Sequence, residues 1–136
     1  MQPASSTSPN RYYTNDHEWV DFRGNIAYTG ICKFKLTGFR QIQEISFTEI
    51  SGLKKQGEVF ALIKYNDYVI EAHMPVDGKV VQLNERLVDD NPDLLLEDAE
   101  NAAWIAMIMP LEPNDRKDLM LPVQYELKGK NKFIIE

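Results

Sequence analysis

The stretch Glu58-Val59-Phe60-Ala61-Leu62-Ile63-Lys64-Tyr65-Asn66-Asp67-Tyr68-Val69-Ile70-Glu71-Ala72-His73-Met74 decides the fold. Two runs of strand-forming residues, 58–65 and 68–74, are separated by Asn66-Asp67 alone. Asn and Asp both tolerate the left-handed backbone that a type I′ turn requires at its two central positions. The reading predicts a tight hairpin with Tyr65 and Tyr68 flanking its tip.

Similar signals extend in both directions. Upstream, residues 17–22 are rich in strand formers, Arg23-Gly24-Asn25 offers turn chemistry, and Ile26-Ala27-Tyr28-Thr29 resumes a strand, which makes a second hairpin. The apolar spacing over residues 31–40 suits a short helix, weakened by ~1 kcal/mol at Gly38. Residues 42–50 read as a strand that ends at Ser51-Gly52. Downstream, Pro75-Val76-Asp77-Gly78 forms a turn before a strand over 79–83. Asn91-Pro92 opens a short helix through Leu94, Leu95 and Leu96, and residues 102–109 return to strand. Many short strands with few helices predict a mostly β domain, either a flattened barrel or a sandwich of two small sheets.

A chain of 136 residues with 43% apolar and 26% charged residues has the balance of one globular domain. The predicted organisation is a flexible tail over 1–11, the domain over 12–110, and an extension over 111–136 that packs on the domain or meets a partner. Phe133-Ile134-Ile135 in the extension reads as an extra strand or a partner-binding end. Apolar runs such as Val59-Phe60-Ala61-Leu62-Ile63 stop far short of the ~20 residues needed to span a bilayer. Cys32 is the only cysteine, and residues 1–10 lack the basic-then-apolar order of a secretory signal, so the expected setting is cytoplasmic. The net charge of −6 argues against nucleic acid. Seven acids against Arg86 over residues 85–100 account for the whole excess, either as a solvated face or as a docking surface for a basic partner.

No catalytic constellation emerges. Cys32 has no base and orienting group beside it in sequence, and His17 and His73 form no recognised ligand spacing with Cys32 or Asp67. The expectation is therefore no enzyme, no metal and no cofactor. Tyr65 and Tyr68, if exposed, would serve as anchors for a protein partner.

Asp16-His17-Glu18-Trp19-Val20, Ile26-Ala27 with Gly30-Ile31, Gly57, Pro75-Val76-Asp77-Gly78, Asn84-Glu85 with Leu87, Asn91-Pro92 and Trp104 together resemble the H protein of the glycine cleavage system. Order and spacing agree from about Tyr13 to Pro110, with one extra residue near Val88-Asp89. The resemblance implies a lipoyl-carrier fold in which a hairpin-tip lysine, joined to lipoate through an amide, shuttles an aminomethyl group between partner enzymes. Counting back from Pro75, that lysine position falls on Asp67, and the family's glutamate three positions earlier falls on Lys64. A carboxylate cannot form the amide. The chain also has Cys32-Lys33-Phe34 where the family tends to show Thr-Asp-Tyr, on a face that contacts partners.

The resemblance thus implies an H-protein-like domain without lipoate that acts by binding a protein, with glycine cleavage components or a lipoate-handling enzyme as candidates. The alternative is an active carrier lipoylated at Lys64. That residue lies ~7 Å back from the tip along a strand rising ~3.4 Å per residue.

Overall fold

The computed structural model describes residues 10–48 and 51–129. Among the described residues eight strands form two antiparallel sheets, and the alternative of a flattened barrel gives way to this pair because neither sheet closes on itself. The larger sheet has the order β1-β2-β3-β8-β7, built from Arg11–Tyr13, Glu18–Arg23, Ile26–Ile31, Ala106–Pro110 and Gly78–Leu83. The smaller has the order β4-β5-β6, built from Glu44–Phe47, Val59–Tyr65 and Tyr68–His73.

One core joins the sheets. Val20, Ala27 and Ile108 from the larger sheet share a buried cluster with Ile45, Ala61, Ile63 and Ala72 from the smaller one. Alternation along β5 and β6 puts Ile63 opposite Ile70 and Ala61 opposite Ala72 on the inner face, with Leu62 opposite Glu71 on the outer face. A bulge between Val59 and Ala61 interrupts the register, which lets Phe60 and Ala61 both be buried. Gly78 allows β7 to lie close to β8, since a β-carbon there would stand 2.5 Å from the Met109 carbonyl oxygen.

The helical segments are shorter than the sequence suggests. Lys33–Leu36 is a single 3-10 turn, and Gly38 follows with φ +94°. Leu94–Asp98 forms the first α-helix, α1, with Leu95 buried. Residues 102–105 do not join the last strand, which begins at Ala106. Among the described residues no helix is long and apolar enough to cross a membrane.

Both ends of the domain differ from the expected boundaries. β1 starts at Arg11, within the predicted tail, and Arg11 is buried against the Trp19 ring, 4.1 Å from its centroid, and beside Asp21 at 3.4 Å. Beyond Pro110 the chain packs back on this edge. Met120 bridges to Tyr13, Arg116 lies 3.6 Å above the Phe22 ring, and Tyr125 stacks on Tyr13 with centroids 4.6 Å apart. Met120 and Tyr125 of the extension thus lie against β1, while Phe133-Ile134-Ile135 lies outside the described residues.

Candidate functional site

The hairpin tip forms as the strand patterns require. Tyr65 pairs directly with Tyr68, leaving Asn66-Asp67 as a two-residue turn. Its type differs from the prediction, because Asn66 has φ +54° while Asp67 is not left-handed. A type I′ turn needs both. At this turn the Gln43 side chain accepts the Asn66 backbone N–H at 2.9 Å and donates to the Asn66 side-chain oxygen at 3.4 Å.

Direct pairing puts Tyr65 and Tyr68 on one face, where both approach the Phe39 ring at centroid distances of 5.8 and 6.3 Å. Tyr68 remains 63% exposed, so the cluster presents an aromatic surface rather than a closed core. Asp67 is exposed at the tip. Lys64 sits one rung back on the opposite face, paired with Val69, and its ammonium lies 3.9 Å from Glu44. The five predicted residues thus divide into an aromatic face, a carboxylate tip and a lateral lysine.

A second cluster, which sequence reasoning did not assemble, borders the hairpin. Glu18 on β2 is almost wholly buried; its Oε2 lies 2.7 Å from His73 Nδ1 and accepts the His73 backbone N–H at 2.8 Å and Lys35 Nζ at 3.0 Å. Its other oxygen accepts the Thr14 hydroxyl at 3.2 Å. Asp16 lies 3.7 Å from His73 Nδ1, and Glu71 lies 3.3 Å from Nε2. Lys35 also donates to the Glu71 carbonyl at 2.6 Å. The hydrogen bond and charge of Glu18 raise the His73 pKa above the ordinary imidazole value, with partial burial opposing the shift. The cluster opens onto a groove walled by Phe34, Val69 and Ile70. Its parts are far apart in sequence; the only local signal is Asp16-His17-Glu18, which the sequence analysis read as a family marker.

Cys32 is fully buried beside Tyr125, and burial pushes its thiol well above the ordinary cysteine range. Such a thiol is a poor nucleophile. His17 does not join the acidic cluster as a ligand; its Nδ1 is 2.8 Å from the Tyr125 hydroxyl.

The profile of the family described as glycine cleavage H-protein matches residues 11–132. A glycine cleavage system H protein of Clostridium botulinum (strain Okra / Type B1) is 37% identical over 117 residues, covering 86% of this chain and 88% of that protein. One from Alkaliphilus oremlandii is 35% identical over 113 residues, covering 83% and 87%. The crystal structure of a glycine cleavage system H protein from Mycobacterium marinum superposes with a TM-score of 0.75 at 23% identity, covering 93% of this chain and 99% of that one, and so supports the fold.

Proposed function

We infer that this chain, which belongs to the glycine cleavage H-protein family, carries no lipoate and works by binding a protein partner through its hairpin face. The observation that carries the reading is the tip itself. Asp67 occupies the exposed second position of the turn, at the place where the resemblance puts the lipoyl lysine. Amide formation with lipoate needs a primary amine, and Asp67 has none. Lys64 has the amine, yet it projects from the side of the hairpin toward Glu44 rather than past its end. The competing reading, a carrier modified at Lys64, would require an attaching enzyme to accept that lateral geometry.

The family's members carry a group between enzymes rather than catalyse, so the chain is not an enzyme. Its partners are then proteins, with the components of glycine cleavage and the enzymes that attach lipoate as the candidates. Tyr68, Tyr65 and Phe39 supply the anchor, since exposed aromatic residues in one patch are the usual source of concentrated binding energy. Cys32 as the lone thiol accords with a cytoplasmic setting.

The test is titration of the labelled full chain with each candidate partner. At least one should bind saturably, and Tyr68→Ala should weaken that complex about tenfold, equivalent to ~1.4 kcal/mol. Binding to none of them, or undiminished binding by a folded Tyr65→Ala/Tyr68→Ala double variant, would remove the aromatic face as the docking surface.

A further inference from the structure

We propose that Asp16, Glu18 and His73 form a binding site for a divalent transition metal of the zinc class, at the mouth of the groove beside the hairpin. The site goes beyond the docking role and does not depend on it.

His73 Nδ1 faces the Glu18 carboxylate at 2.7 Å, while Nε2 faces the Glu71 carboxylate at 3.3 Å. Both partners are acceptors, and a neutral imidazole carries a single N–H. Either a second proton or a metal ion on the ring would satisfy both carboxylates at once. If Nε2–H donates to Glu71, the Nδ1 lone pair points at Glu18 and Asp16. A carboxylate holding the far nitrogen of a ligating histidine is the common outer-shell arrangement of such sites.

Distances agree with that assignment. One ligand atom from each of the three residues lies within 4.8 Å of the others. Tetrahedral ligands with metal bonds of ~2.0–2.1 Å stand roughly 3.3 Å apart. The contacts of His73 Nδ1 with Glu18 at 2.7 Å and with Asp16 at 3.7 Å each lie about half an ångström from that spacing. Glu18 and His73 are held by the fold, with side chains 2% and 17% exposed, whereas Asp16 at 56% is free to adjust.

Charge and donor type select the ion. Asp16, Glu18 and Glu71 contribute three negative charges against Lys35, leaving −2 around a neutral imidazole, which a divalent cation cancels. One imidazole nitrogen with two carboxylates favours zinc and its first-row relatives over calcium or magnesium, which take oxygen ligands. Lys35 Nζ, 3.0 Å from Glu18, competes for the same oxygen and has to swing aside. Removing Lys35 should consequently strengthen binding, opposite in sign to the loss of a ligand.

The experiment uses the full chain stripped with chelator, then titrated with Zn²⁺ by calorimetry and with Co²⁺ by visible absorption. Expected are one ion per chain with a Kd of about 10 μM or tighter, and cobalt bands typical of a low-coordinate nitrogen and oxygen site. Asp16→Asn, at an exposed position that leaves the fold intact, should weaken binding by at least about tenfold, and His73→Asn should abolish it. Lys35→Ala should tighten it several-fold. No binding by the folded native chain at about 1 mM Zn²⁺, or a Kd indifferent to both Asp16→Asn and His73→Asn, overturns the site. Binding weakened by Lys35→Ala would likewise contradict it.

Discussion

Asp67→Lys combined with Lys64→Glu is expected to turn a chain that a lipoate-attaching enzyme leaves untouched into one that it modifies to completion. The substitution puts a primary amine at the second position of the turn without altering the Tyr65 to Tyr68 pairing on either side. Because Asp67 is not left-handed, lysine incurs no conformational penalty there; Asn66 alone bears the positive φ. Lys64→Glu introduces a like charge opposite Glu44, at a cost of about 0.2–1 kcal/mol. That is small beside typical domain stabilities of ~5–15 kcal/mol. Asp67→Lys alone should show whether the amine suffices, and the double variant whether the attaching enzyme also reads an acid at position 64. Intact mass after incubation gives the answer. A folded double variant that stays unmodified, while a lipoylated family member is converted in the same tube, would mean that Asp67 is not at the attachment position.

The second large effect concerns the fold. Trp19→Ala should destabilise the chain by about 3–5 kcal/mol and lower its Tm by on the order of 10–20 °C. Trp19 is 1% exposed, its ring lies against Gly30, where a β-carbon would come within 2.8 Å of Nε1, and Arg11 covers it. Its Nε1–H donates to the Ala99 carbonyl at 3.0 Å, tying β2 to the segment after α1. Truncation would open a cavity, uncover the buried Arg11 guanidinium and leave the Ala99 carbonyl unpaired. Trp19→Phe, which keeps most of the apolar volume but not the donor, should cost about 1–3 kcal/mol. An alanine variant melting within about 3 °C of the native chain would contradict this account of how the β1-β2 edge is held.

What the sequence revealed follows from how local each signal is. The hairpin was legible because its two strands and the Asn66-Asp67 turn lie within seventeen consecutive residues, and pairing places Tyr65 opposite Tyr68. The contact of Gln43 with the turn was not legible, since Gln43 lies twenty-three residues upstream of Asn66. The bulge at Phe60 hid the alternation of β5 for a similar reason: its register is set by the neighbouring strand. The extension over 111–136 left packing and partner binding open in the sequence, because the contacts of Arg116, Met120 and Tyr125 with Tyr13 and Phe22 span about a hundred residues.

The carboxylate and imidazole cluster was the least visible feature. Glu18 and His73 are fifty-five positions apart, and Lys35 reaches them from a 3-10 turn whose residues suggested only an amphipathic helix. The lateral placement of Lys64 was readable from strand periodicity, since a residue adjacent to Tyr65 must point to the other face. Its pairing with Glu44 was not, because β4 approaches from a separate segment.

The central claim is that this family member has lost the attachment chemistry while keeping the carrier fold. Intact mass spectrometry of the protein purified from its native cells, once those cells are shown to lipoylate other proteins, tests it most directly. The account predicts that no species carries a lipoyl group. A population heavier by one lipoyl group, mapping to Lys64 after proteolysis, would contradict it and make the chain a working carrier with a displaced lysine.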